Sequence, residues 1–178
     1  MAAFQLHLPD ARLVALAIHY HLGRPGSETD AATLQRHSLG LGPVLETLEP
    51  QLAGSGESEV IEVDLSAYQV TRLGAALHGT VNELKQFGMA DGRSAVPGFA
   101  EAFGRLFPEA AGGEAFDALD LVPDAVGLRR RLADAVREAE AEVEAAREAA
   151  QAEAQRQRRG PLRRLQDRLG VLFGRGGS

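Results

Sequence analysis

The stretch from Asp124 to Arg159 constrains this chain more than any other. Pro123 stands where a helix can begin, Gly160-Pro161 stands where it is expected to stop, and the 36 residues between hold one glycine and no proline. Ala, Glu, Arg and Gln dominate it, all favourable in helices apart from any packing. Its apolar positions are Leu128, Leu132, Ala135, Ala139, Val143, Ala146, Ala150 and Ala154. Several recur at eleven residues, Leu132 with Val143, Ala135 with Ala146 and Ala139 with Ala150. Such a repeat keeps a seam on one face of a nearly straight helix.

That seam is uneven. Leu128, Leu132 and Val136 offer enough apolar surface to pack, whereas after Val143 the seam is alanine only and buries little area. The first half is therefore expected to meet a partner and to carry self-association. Beyond Val143 the alternative is a solvated single helix supported by local pairs such as Arg137 with Glu140 and Glu144 with Arg147, each contributing a few tenths of a kcal/mol.

Charge separates the end of the chain from the rest. The net charge is −6, yet residues 156–178 carry seven Arg and one Asp, leaving −12 on residues 1–155. Within that tail Leu162, Leu165, Leu169 and Leu172 recur at three and four residues beside Arg163, Arg164 and Arg168, the pattern of a short basic amphipathic helix. Docking on protein uses both its faces. An anionic membrane normally recruits more bulky aromatics than Phe173 alone, and nucleic acid would use the arginines but not the leucines.

The 122 residues before the long helix read as a mainly helical body. Phe4, Leu6 and Leu8 alternate with polar residues as a strand does, and Val60 to Leu65 reads as its partner, so the sheet is a two-stranded ribbon that needs helices over it. Pro9-Asp10 opens a helix through Leu22 that is apolar on most of its circumference and hence buried. Short helices are expected over Ala31–His37 and Pro43–Leu52. Ser66 and Gln69 form a capping box, flanked by the staple pair Leu65 and Val70, at the head of a helix striped by Leu73, Leu77, Val81, Leu84 and Phe87 and ended by Gly88. A further helix carries Phe99, Phe103, Leu106 and Phe107. The five phenylalanines from Phe87 to Phe116 are expected in the core, with a groove for a partner helix as the alternative.

Signatures of chemistry are sparse. There is no cysteine, hence no disulfide, thiol nucleophile or cysteine-ligated zinc. Gly54-Ser55-Gly56 lacks the strand and helix that a phosphate loop needs, and no His-Glu-x-x-His, Gly-x-Ser-x-Gly or Walker-type pattern occurs. His19 and His21, two apart on a helix, point away from each other and cannot share one ion. His78, Asn82 and Lys85 share a flank of the central helix where a histidine could move protons beside an amide and an ammonium. Arg93 and Ser94 precede a helix start that favours anions, although a plain cap explains them as well. Asp117, Asp120 and Asp124 lack the alternation and terminal Glu of a calcium loop.

The expected fold is mainly α: a helical body with a small β ribbon (1–122), a long protruding Ala-rich helix (123–159) and a basic amphipathic tail (160–178). The expected function is that of a non-enzymatic protein–protein interaction module, an adaptor or assembly factor of the cytoplasm, homodimeric through a coiled coil of the long helix. Its partner is another protein or a second copy, and no cofactor or metal is expected. A membrane-surface or nucleic-acid protein using the Arg-rich tail, and a small-molecule or enzymatic site near His78, are the alternatives.

Overall fold

The computed structural model describes residues 2–27, 40–54, 60–90, 92–111 and 117–173, the last of these from 152 onward as backbone. Strand β1 (Ala2–His7) runs directly into helix α1 (Leu8–Gly23), which Pro9 enters in its first turn. Helix α2 (Gly42–Gly54), strand β2 (Val60–Leu65) and helix α3 (Ala67–Met89) follow. Then come α4 (Phe99–Leu106), α5 (Pro108–Ala111), a 3-10 turn (Ala118–Asp120) and α6 (Leu121–Phe173). The short helix expected over 31–37 and Phe116 lie outside the described residues.

β1 and β2 pair antiparallel from Ala2 opposite Leu65 to His7 opposite Val60. Phe4, Leu6, Ile61, Val63 and Leu65 alternate inward and are buried, while Gln5, Glu62 and Asp64 are exposed, the period-two pattern of a sheet covered on one side. The chain thus has a mainly helical fold with one small ribbon. α1 is the centre of the body. Leu13 to Ile18 are six consecutive buried residues, because α2, α3, α4 and the ribbon surround this helix.

The capping box at the head of α3 is fully formed. Gln69 donates its backbone N–H to Ser66 Oγ (3.2 Å), and the Ser66 N–H donates to Gln69 Oε1 (2.9 Å). The stripe Val70, Leu73, Leu77, Val81, Leu84 and Phe87 is buried throughout, and the helix ends one residue past the expected stop at Gly88. Gly98, with φ 77°, turns the chain into α4, which buries Phe99, Phe103 and Leu106, with Phe107 at its cap. Phe87 lies edge-on to Phe99 (5.7 Å between ring centres) and against Phe103 (4.9 Å), so the described phenylalanines are core.

Asp117 and Asp120, acidic neighbours on paper, cap each other's backbone at the entrance to α6. Asp117 accepts from the Leu119 N–H and Asp120 from the Asp117 N–H. α6 begins two residues before Pro123, which falls in its first turn. Its opening turns belong to the body: Ala125, Leu128 and Leu132 are buried, with Val126 and Val136 half-buried against the core.

The chain divides into two units, Met1–Val136 and Arg137–Ser178. In the second, the backbone is helical through Phe173, across the Gly160-Pro161 pair where a stop is expected. Proline there removes one N–H and crowds the carbonyl of Gln157, a cost of about 3 kcal/mol, with good helix formers on either side of the Gly160-Pro161 pair. Among the described residues no helix is long and apolar enough to cross a membrane.

Candidate functional site

Polar side chains converge at a cleft in the body and cover the exposed length of α6. The cleft, about 580 Å³, opens between α1, α2, α4 and α5. Leu52, Ala53, Leu106, Pro50 and Pro108 give it apolar walls, and Arg12, Arg105, Glu46 and Glu49 supply its charge. At one side Arg105 Nη2 donates both to Glu49 Oε1 and to His19 Nε2 (2.8 Å). Glu49 Oε1 and His19 Nε2 lie 3.0 Å apart, so the three side chains form one polar cluster. Arg12 donates to Glu109 Oε1 at 3.1 Å.

This cluster was not legible in the sequence, since α1, α2 and α4 bring it together across 30 to 86 residues. Its chemistry is limited. Two arginines and two glutamates balance, so the cleft exerts no net pull on either sign of charge. None of the lining residues carries a hydroxyl, thiol or amine nucleophile. The ion pairs are half-exposed, as with Arg105 at 56% and Glu49 at 37%, and such pairs contribute at most about 1 kcal/mol.

The two neighbouring histidines of α1 do diverge. His19 turns to Glu49 and Arg105, while His21 Nε2 lies 3.2 Å from Arg72 Nη2 on α3. Arg72 also donates to the Ser27 carbonyl (2.6 Å) and stands over the Tyr68 ring. Among the described residues no three of His, Asp and Glu gather as metal ligands would.

The flank of α3 is less promising than its spacing suggests. His78, Asn82 and Lys85 are all exposed, and His78 Nδ1 accepts from Arg129 Nη1 of α6 at 2.9 Å. They line neither the large cleft nor a second cavity of about 240 Å³ walled by Phe87, Phe103 and Asp117. Arg93 is exposed. Ser94 is occupied, because its hydroxyl donates to Oε1 of the buried Glu83 (2.6 Å) and accepts from the Val96 N–H (3.0 Å). Its role is to hold the turn before α4 against α3.

α6 divides its predicted interaction residues in two. Leu128 and Leu132 are 1% and 3% exposed and Val136 is half-buried, so the first half of the seam is taken up by the core and is not free for another chain. Expecting it to carry self-association overlooked that the body itself supplies the partner. From Arg137 to Gln151 every described side chain is exposed, and Val143 stands at 54%. Leu162, Leu165, Leu169, Leu172, Arg163, Arg164 and Arg168 fall on helical backbone, and their side chains lie outside the described ones. Comparison with models of known families, with curated proteins and with solved structures finds no match for this chain.

Proposed function

We propose that the chain is a non-enzymatic protein–protein interaction module, an adaptor or assembly factor, that self-associates through the exposed length of α6 and docks through its basic end. The observation that carries this reading is that every described side chain from Arg137 to Gln151 is exposed, with Val143 uncovered on the continuation of a seam whose earlier members are buried. A helix this polar and this exposed draws no stability from burial and relies on local pairs and propensity. Contact with another helix gives such a segment the packing it otherwise lacks. The charge-balanced cleft offers no comparable demand for a partner.

The test is solution mass by light scattering, on the full chain and on a chain ending at Val136, which keeps Leu128 and Leu132 in the core. A dimer that becomes a folded monomer on truncation supports the reading. A full chain that stays monomeric at high micromolar concentration removes it. A second reading rests on the +6 of residues 156–178, which suits an anionic membrane or nucleic acid. It requires salt-sensitive binding to phosphatidylserine vesicles or duplex DNA that disappears when the chain ends at Gln155.

A further inference from the structure

The self-association proposed above has a direction and a register that α6 itself encodes. Ala139, Val143 and Ala146 are spaced four then three; Leu162, Leu165 and Leu169 are spaced three then four. Read in reverse, the second series has the spacing of the first. Two copies of the helix laid antiparallel therefore match at three layers in one register: Ala139 opposite Leu169, Val143 opposite Leu165 and Ala146 opposite Leu162. Small then meets large at each layer, the arrangement by which facing helices interlock. A parallel in-register pair would set alanine against alanine from Ala139 to Ala154 except at Val143, leaving that half little apolar area and confining the leucines to the other end.

Charge selects the same arrangement. Residues 138–153 carry six Glu and one Arg, and residues 156–168 carry six Arg and one Asp. The antiparallel register lays the acidic stretch of each copy along the basic stretch of the other, bringing Glu144 opposite Arg164 and Glu140 opposite Arg168. A parallel pair stacks like on like throughout. The backbone supplies the last constraint. α6 is helical without interruption to Phe173, and a continuous helix cannot lay its second half along its own first half. The complement of each half is therefore the other half of a second copy.

We infer that two copies of this chain pair antiparallel through residues 139–169, about a two-fold axis near Ala154. The inference rests on the self-association reading, adds its geometry, and makes the second copy the partner on which the basic end docks. The chain has no cysteine, so introduced thiols report contacts without background. Full-length Val143→Cys and Leu165→Cys chains are oxidised separately and as a mixture at low salt. The mixture gives a cross-linked dimer and neither chain alone does, because two copies of position 143 stand about 33 Å apart along the pair, far beyond disulfide reach.

A second experiment does not depend on replacing an interface leucine. Glu144→Arg and Arg164→Glu each place like charges opposite one another twice, so each chain alone loses dimer mass, and mixing the two restores it. Self-linking of Val143→Cys overturns the antiparallel register while leaving self-association in place. A monomeric unmodified chain at low and physiological salt overturns both. Dimer mass unchanged by either charge substitution alone overturns the charge pairing.

Discussion

Two glycines on the same helix provide a sharp test of how α3 is packed. Gly74 and Gly79 both lie inside Ala67–Met89. Alanine in place of glycine in a helix interior gains about 1 kcal/mol from backbone entropy alone. At Gly74 an added methyl meets nothing within 4 Å, so Gly74→Ala should keep the whole gain. At Gly79 the methyl falls on Tyr20 Cε1 and lies 2.7 Å from both Cζ and Oη. Ordinary carbon contacts are about 3.5–4.0 Å, so the ring must retreat by about 1 Å. It has little room, being edge-on to the fully buried Phe99 at 6.3 Å with the Arg24 guanidinium over its face at 5.6 Å. Overpacking of this kind costs about 1–3 kcal/mol, which cancels or exceeds the propensity gain. The two variants should therefore differ by about 1–3 kcal/mol in urea unfolding at unchanged m value, with Gly74→Ala the more stable. In a Tyr20→Ala background the penalty at position 79 should vanish, a coupling read by a double-mutant cycle. If Gly79→Ala stabilises as much as Gly74→Ala, Tyr20 does not pack on this face of α3 and the account of the α1–α3 contact is wrong.

Further expectations follow from single side chains. Leu132→Ala should destabilise the body by about 2–5 kcal/mol as a buried large-to-small change, whereas Val143→Ala on the same seam should move unfolding of the body by less than about 0.5 kcal/mol; equal effects would mean that the body does not end near Val136. Ser66→Ala removes one half of the capping box and should cost about 1 kcal/mol, with Ser66→Asp avoiding most of that loss. Ser94→Ala takes away the hydroxyl that donates to buried Glu83 and should cost about 1–3 kcal/mol, measured by thermal unfolding; an unchanged melting temperature would show that the turn before α4 is held by other contacts.

The parts of this fold legible in the sequence are those determined within a few residues. Ser66 and Gln69 are three apart, so their reciprocal hydrogen bonds need no distant element, and the alternation of Val60 to Leu65 states which side of a strand is covered. Leu128 and Leu132 were recognisable as packed residues, but a seam does not say whether the opposing surface belongs to the same chain. Here it belongs to the body. The Arg105–Glu49–His19 cluster had no local signal, because each member is an ordinary polar residue on its own helix until three helices converge. Gly79 gave none either: a mid-helix glycine has many explanations until Tyr20 is seen against it. Gly160-Pro161 reads as a stop by local rules, and the backbone continues through it.

The pairing of β1 with β2 has a consequence for the order in which the molecule is made. The two strands are separated by more than fifty residues, so their pairing must close a long loop, a cost that a locally formed helix does not carry. The helices α1 and α2 can begin to form locally while the ribbon waits. On a ribosome the first strand emerges with its apolar side, Phe4 and Leu6, and remains without its mate until Val60–Leu65 has been synthesised. α1 waits longer still for α3 and α4 to cover it. The helix at the centre of the body is thus made well before the elements that enclose it. Until then the nascent chain exposes the surface that a chaperone would recognise.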